Sequence, residues 1–163
     1  MPMEIERKFL VVSDAWRAQA AGSKRYRQGY LGGVETSSVR VRVSDHDAYL
    51  NIKGATLGVS RLEYEYPIPL AEAHEILDCL CRKPLIEKTR YFVDHAGHRW
   101  EVDVFEGDNA GLIVAEIELE SPDAAFARPD WVGDEVSDDI RYYNVSLVEH
   151  PFKAWANPPL SRS

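Results

Sequence analysis

The sequence predicts a mainly β fold (α+β): an antiparallel sheet of roughly eight strands closed into a barrel, with a charged lumen and a few outer helices. Three observations carry that prediction. Segment after segment alternates apolar and charged residues, the period of two that sends successive side chains to opposite faces of a strand. Only one stretch, 69–82, repeats apolar residues clearly at helical spacing. A single long helix cannot cover the apolar faces of so many strands laid flat. A sheet that curls onto itself loses its edges and turns its two faces into an inside and an outside.

The elements follow in order. "MEIERKFLV" at 3–11 puts Glu4, Glu6 and Lys8 on one face of a strand and Ile5, Arg7 and Phe9 on the other. "SDAWRAQA" reads as a short helix with Ser13 or Asp14 as its N-cap. "KRYRQGYLG" is a second strand, closed by Gly32-Gly33, and "SSVRVRVSD" sets Val39, Val41 and Val43 against Arg40 and Arg42. "AYLNIKG" returns across a turn at Asp45-His46, as in a hairpin. "SRLEYEYPI" opposes Arg61, Glu63 and Glu65 to Leu62, Tyr64 and Tyr66. In the helix over 69–82, Pro69 suits the first turn, Leu70, Ala73, Leu77, Leu80 and Cys81 form the stripe, and Pro84 stops it. Cys79 and Cys81 stand two apart, form no CxxC motif, and are expected as buried free thiols.

"IEKTRYFVD" and "HRWEVDVFEG" pair around Ala96-Gly97, with His95 and His98 as turn residues at the tip and His74 at the surface or boundary of the helix. "LIVAEIELES" places Glu116, Glu118 and Glu120 opposite Ile117 and Leu119. A short helical piece near "DAAFA" and a loop through "WVGDEVSDDIRYYN" complete the pattern, with Trp100, Trp131 and Trp155 as packing residues and Asp139 and Arg141 as an ion pair. Residues 1–156 read as one domain and 157–163 as a loose tail.

Of 163 residues, 27 are Asp or Glu and 19 Lys or Arg, a net charge of -8 that argues against general nucleic-acid binding. No apolar run is long enough for a membrane span, and acidic residues stand where a signal peptide needs basic then apolar ones, so a cytoplasmic protein is expected. The bases are unevenly placed, however. Lys8, Arg40, Arg42, Lys53, Arg61, Lys88 and Arg90 share strand faces with Glu4, Glu6, Glu63, Glu65, Glu101, Asp103, Glu116 and Glu118. Such faces are either the wet outside of a two-layer protein or the lining of a lumen. Wet faces usually mix Ser, Thr and Gln with Lys and Glu; these are dominated by arginines and carboxylates two apart. Enclosed, they cost several kcal/mol per unpaired ion, of order. Arginine and lysine grip phosphate oxygens, and carboxylates share Mg2+ or Mn2+ with phosphates, so the lumen fits a metal-bound, highly anionic phosphate compound.

"EIERK" at 4–8 resembles the ExExK signature of the CYTH superfamily, the triphosphate tunnel metalloenzymes. The resemblance continues in order through "QGYL" (28–31), "RVR" (40–42), "NIK" (51–53), "SRLEYE" (60–65), "EKTRY" (87–91), "EVDVF" (101–105), "AEIELES" (115–121) and "RYYN" (141–144). It implies an eight-stranded antiparallel tunnel that binds a triphosphate and cleaves it with Mg2+ or Mn2+ by in-line attack of water. Carried over, Glu4, Glu6, Glu116 and Glu118 are the metal-side carboxylates, with Glu63 and Asp103 beside them, unless these two, like Glu65 and Glu101, hold the basic residues in place. Lys8, Arg40, Arg42, Lys53, Lys88 and Arg90 bind phosphates, joined by Arg61. Tyr30 pairs with Lys8 near the reacting phosphorus, unless it is a tyrosine of the barrel wall. The resemblance implies hydrolysis of inorganic tripolyphosphate to pyrophosphate and phosphate. The same scaffold admits a nucleoside or thiamine triphosphatase, an adenylate cyclase, or a non-catalytic polyphosphate-binding module. A barrel of this size is compatible with a homodimer; neither nucleic acid nor membrane is expected as a partner.

Overall fold

The computed structural model describes residues 3–32, 36–54 and 58–155. Among them the strands are β1 (Met3–Val11), β2 (Ala20–Leu31), β3 (Ser37–Val43), β4 (Ala48–Gly54), β5 (Ser60–Pro67), β6 (Ile86–His95), β7 (His98–Phe105), β8 (Ile113–Glu118) and β9 (Val132–Glu135). Two α-helices join them, α1 (Leu70–Cys79) and α2 (Asn144–Glu149). The sheet runs β5-β4-β3-β2-β6-β7-β8-β1-β9, and a further pairing of β5 with β1 closes the first eight strands into a ring. Every ladder is antiparallel.

β1 makes the closure possible by dividing its hydrogen bonds along its length. Met3–Ile5 pair with β5, Glu6–Leu10 pair with β8, and Phe9 and Val11 meet β9. β9 thus lies outside the ring and seals the stretch of β1 that β5 leaves uncovered, helped by Arg7 Nε, which donates to Glu135 Oε2 at 2.9 Å. Alternation in the sequence predicts a loop over 132–135, because four residues are too few to show a period. Residues near "DAAFA" are turn and irregular chain rather than helix, and the helix of that region is α2, further on. The segment after Ser13 is a short 3-10 turn over Ala15–Gln19, and Asp14 at its start makes no side-chain cap.

The apolar faces point outward and are covered from outside. Phe9, Val11, Trp100, Val102, Ile117 and Trp131 form one core, in which Trp100 and Trp131 meet edge to face at 5.7 Å. α2 seals a second: Leu147 and Val148 pack with Ile86, Leu112, Tyr142 and Trp155. α1 covers β3 and β4, pressing Ala73, Leu77 and Cys81 on Val41, Val43 and Ala48. The helix is shorter than its apolar stripe, because Lys83 Nζ donates to Leu77 O and the Arg82 amide donates to Tyr30 O, turning the chain back to β2. One thiol departs from expectation. Cys81 is buried under α1, but Cys79 sits on its exposed side. Tail residues 157–163 lie outside the described residues. Among those described, no helix is long and apolar enough to cross a membrane.

Gly29 is required where the segment after α1 lies against β2. A Cβ there would stand 2.7 Å from Leu85 Cδ2 and 2.8 Å from Cys81 Cβ, closer than atoms in a packed core approach. Gly29→Ala is therefore expected to destabilise the protein by about 1–3 kcal/mol. At this chain length a melting curve should show the loss as a shift of about 2–4 °C per kcal/mol. An unchanged midpoint would mean that the segment carrying Cys81 and Leu85 can lift off β2 without penalty.

Candidate active site in the tunnel

The period of two fixes what the ring encloses. Lumen-facing side chains keep one parity on each strand: Glu4, Glu6 and Lys8 from β1; Tyr26 and Tyr30 from β2; Ser38, Arg40 and Arg42 from β3. Lys53 comes from β4, Arg61, Glu63 and Glu65 from β5, Lys88 and Arg90 from β6, Glu101 from β7, and Glu116 and Glu118 from β8. Together with Gly58, Val59, Ser137, Tyr143, Asn144 and Val145 they line a cavity of about 360 Å³. Of the residues anticipated for the site, all but Asp103 reach this lining.

Asp103 is wholly buried behind it. Its Oδ1 accepts from Arg90 Nε at 2.7 Å, and its Oδ2 accepts from Lys88 Nζ at 2.8 Å and Arg90 Nη2 at 2.9 Å. Burial works to raise its pKa, but Arg90 and Lys88 outweigh that and hold the carboxyl below its usual range. Alternation placed Asp103 on the correct face without telling its depth. Its position is that of a support for two cations. Tyr30 does line the cavity, but Lys8 does not bond to it: Lys8 Nζ donates to Tyr142 O at 3.1 Å and lies 3.6 Å from Glu116 Oε1.

Most of the lumen's cations have carboxylate partners. Lys53 Nζ stands 3.1 Å from both Glu4 Oε1 and Glu63 Oε2, and Arg61 Nε is 3.1 Å from Glu4 Oε1. Arg90 reaches Glu101 Oε2 at 3.0 Å and Glu116 Oε2 at 3.4 Å. Arg40 and Arg42 differ: among the described residues neither has a carboxylate within salt-bridge distance, and the buried Nε of Arg40 has no hydrogen-bond partner. Arg42 lies against the Tyr26 ring at 4.5 Å, and burial with the charges of Arg40 and Arg90 pushes its pKa down to about 10.

β1 and β8 stand across the ring from β3, and there the demand is reversed. Glu6 and Glu118 are register partners on those strands, and neither forms an ion pair among the described residues. Burial, and then the neighbouring Glu116 and Glu4 carboxylates, push Glu6 up to about 8. Glu118 is raised by burial and by Glu4. Glu116 sits low instead: burial opposes its charge, but Lys8, Arg90 and Lys88 hold it well below the usual carboxylate range.

These carboxylates are hard oxygen donors, the type that Mg2+ and Mn2+ accept. Among the described residues no three His, Cys, Asp or Glu side chains are drawn close enough to hold a cation by themselves. Mg2+ needs no such cage, since it keeps several waters and takes one or two carboxylates plus substrate phosphates. The donor set therefore fits a cation that arrives with, or is completed by, a phosphate compound.

A family model for the CYTH domain matches residues 2–151. The chain belongs to the CYTH family. Within it, this CYTH protein is 53% identical over 153 residues to an inorganic triphosphatase of Acetivibrio thermocellus, covering 94% of this chain and 97% of that protein. It is 36% identical over 149 residues to an inorganic triphosphatase of Nitrosomonas europaea, covering 89% and 96%. A crystal structure of an inorganic triphosphatase superposes with a TM-score of 0.64 at 33% identity, over 91% of this chain and 95% of that one. A Hippeastrum protein described as an adenylyl cyclase with dominant triphosphatase activity shares the fold alone, at 17% identity and a TM-score of 0.53 over 75% of this chain and 81% of that one.

The expected fold is thus the fold observed, a ring of antiparallel strands with its charges inside. Of the lining residues missed in the sequence, Tyr26 and Ser38 lie on β2 and β3, and the others come from outside the alternating strands: Gly58 and Val59 precede β5, and Ser137, Tyr143, Asn144 and Val145 follow β9. Only the "RYYN" match pointed to Tyr143 and Asn144, and it carried no indication of which side of the sheet they would reach.

Proposed function

We propose that this CYTH protein is a divalent-metal-dependent triphosphatase that hydrolyses inorganic tripolyphosphate to pyrophosphate and phosphate inside the tunnel. The observation that carries the reading is the opposed pair of unmet demands. Among the described residues, Arg40 and Arg42 face the cavity with no carboxylate within salt-bridge distance, and Glu6 and Glu118 face it from the other side with no cation within that distance. A metal–triphosphate complex satisfies both at once; an anion or a cation alone satisfies one. The inorganic triphosphatases at 53% and 36% identity support the choice of substrate.

In this reading Arg40 and Arg42 take the phosphate oxygens first, because among the described residues no carboxylate pairs with them. Lys8, Lys53, Arg61, Lys88 and Arg90 complete the cationic wall, each steadied by a carboxylate that sets its direction. Glu4, Glu6, Glu116 and Glu118 would hold Mg2+ or Mn2+, with Glu63 beside Lys53 and Asp103 behind Lys88 and Arg90 in support. When bound, the cation neutralises phosphate charge and lowers the pKa of a water. The chain itself fixes the terminal phosphoryl group in line with that water, and Lys8, beside Glu116, meets the charge that develops on the transferred group. Tyr30 lines the same wall, and its hydroxyl offers a further donor to the phosphates. No protein nucleophile is needed: water supplies the oxygen of the new phosphate, and pyrophosphate leaves with the electrons of the broken anhydride bond. The reading treats residues 1–156 as one functional unit, working as a monomer or homodimer in the cytoplasm.

Product analysis tests it. Incubated with tripolyphosphate and Mg2+ or Mn2+, the protein should release orthophosphate and pyrophosphate, much faster than it releases phosphate from ATP or thiamine triphosphate, and EDTA should stop it. Cyclic AMP and pyrophosphate from ATP would instead assign a cyclase. No turnover of any of the three would leave the tunnel a binding site.

A further inference from the structure

The segment after β9 reaches the tunnel from outside the sheet, and one residue of it is tied into the wall. Asn144 Oδ1 accepts two hydrogen bonds at 2.9 Å, from Lys88 Nζ and from Gln28 Nε2. A lysine ammonium can only donate, so the Asn144 atom facing it must be oxygen, which fixes the orientation of that amide. Gln28 meets the same oxygen and must present its NH2 group. Its own Oε1 is then left buried with no partner among the described residues, and the residue is wholly buried. An orphaned buried carbonyl is costly, so the arrangement has to be compensated by what it holds in place.

What it holds is Lys88. The ammonium gives one hydrogen to Asp103 Oδ2 at 2.8 Å and one to Asn144, and Asp103 is itself clamped by Arg90. Two of three N–H directions are fixed, and the third remains for the cavity that Lys88 lines. Lysine is a point charge on a flexible stem, and Asp103 alone would draw it back into the wall. Asn144 pulls from another side. Its own Nδ2 forms no hydrogen bond to a described residue, and Asn144 also lines the cavity.

We propose that Asn144, braced by Gln28, is the positioning residue that aims the Lys88 ammonium at a phosphate oxygen. The proposal rests on the triphosphatase reading for the identity of the ligand. The geometry gives Asn144 a task that is separate from folding: it couples the arrival of α2 to the direction of one substrate-facing charge.

A double-mutant cycle tests this, with binding of tripolyphosphate in EDTA measured by calorimetry beside kcat and KM with metal. Asn144→Ala should weaken metal-free binding about tenfold or more, a size usual for residues that orient a ligating group. In a Lys88→Ala background the same change should have less than about a twofold effect, because the group it orients is gone. Unchanged binding in the single variant, or full multiplication of the two losses, overturns the proposal. Gln28→Met guards against misfolding. It removes the orphaned carbonyl, so a purely structural role predicts equal or greater stability with unchanged binding, whereas the positioning role predicts weaker binding. A wild-type protein that binds tripolyphosphate without hydrolysing it would sink the triphosphatase reading and still leave the binding cycle decisive for Asn144.

Discussion

Glu116→Gln is expected to abolish turnover of tripolyphosphate, lowering kcat by roughly three orders of magnitude or more, while the protein stays folded. Glu116 is almost wholly buried and held well below the ordinary carboxylate range by Lys8, Arg90 and Lys88, so it carries its charge at any working pH. Glutamine keeps its size and one acceptor oxygen but supplies no charge to a divalent cation. The fold survives because the cations around it have other partners: Lys8 keeps Tyr142 O, and Arg90 keeps Asp103 and Glu101. The lumen also gains net positive charge, so phosphate binding should be as tight as before. The signature is therefore a collapse in kcat with an unchanged or lowered KM and a raised requirement for metal. Activity near that of the wild type would remove Glu116 from the metal side. A lost melting transition would show that its charge serves the fold.

How much of this was legible in the sequence follows from what alternation can and cannot encode. Because a strand turns its side chains by half a revolution per residue, Glu4, Glu6 and Lys8, or Arg40 and Arg42, had to share a face once their segments were strands. The number of such faces, set against one clear helix, pointed to closure. Depth is a different matter. Asp103 and Glu101 have the same parity on β7, but Glu101 lines the cavity and Asp103 lies behind two cations, a distinction that depends on the neighbouring strand. Residues delivered by irregular chain had no period to betray them. Asn144 and Tyr143 stand next to each other in sequence, at the start of α2, and both reach the lumen. β9 was hidden for the same reason, and Cys79 is exposed because it lies in α1 but off the apolar stripe of Leu70, Ala73 and Leu77.

Arg40→Ala should raise KM for tripolyphosphate about 100-fold. A guanidinium that meets phosphate oxygens makes charge-assisted hydrogen bonds worth about 1.5–3 kcal/mol each, and each 1.4 kcal/mol is about a factor of ten. Arg40→Lys keeps the charge without the planar fork and should recover only part of the loss. Stability should move the other way. Arg40 is nearly buried, its Nε has no partner, and no carboxylate among the described residues pairs with it, so in the folded protein its charge is a cost without local compensation. Removing it should leave the melting temperature unchanged or raise it, the trade expected where a residue is held for a ligand at the expense of the fold. A structural arginine would behave oppositely, losing stability on truncation and leaving KM alone. Measuring both quantities on the one variant separates the two roles: weaker binding in a protein at least as stable places Arg40 on the phosphates, and a destabilised protein with an unchanged KM takes it out of the tunnel's chemistry.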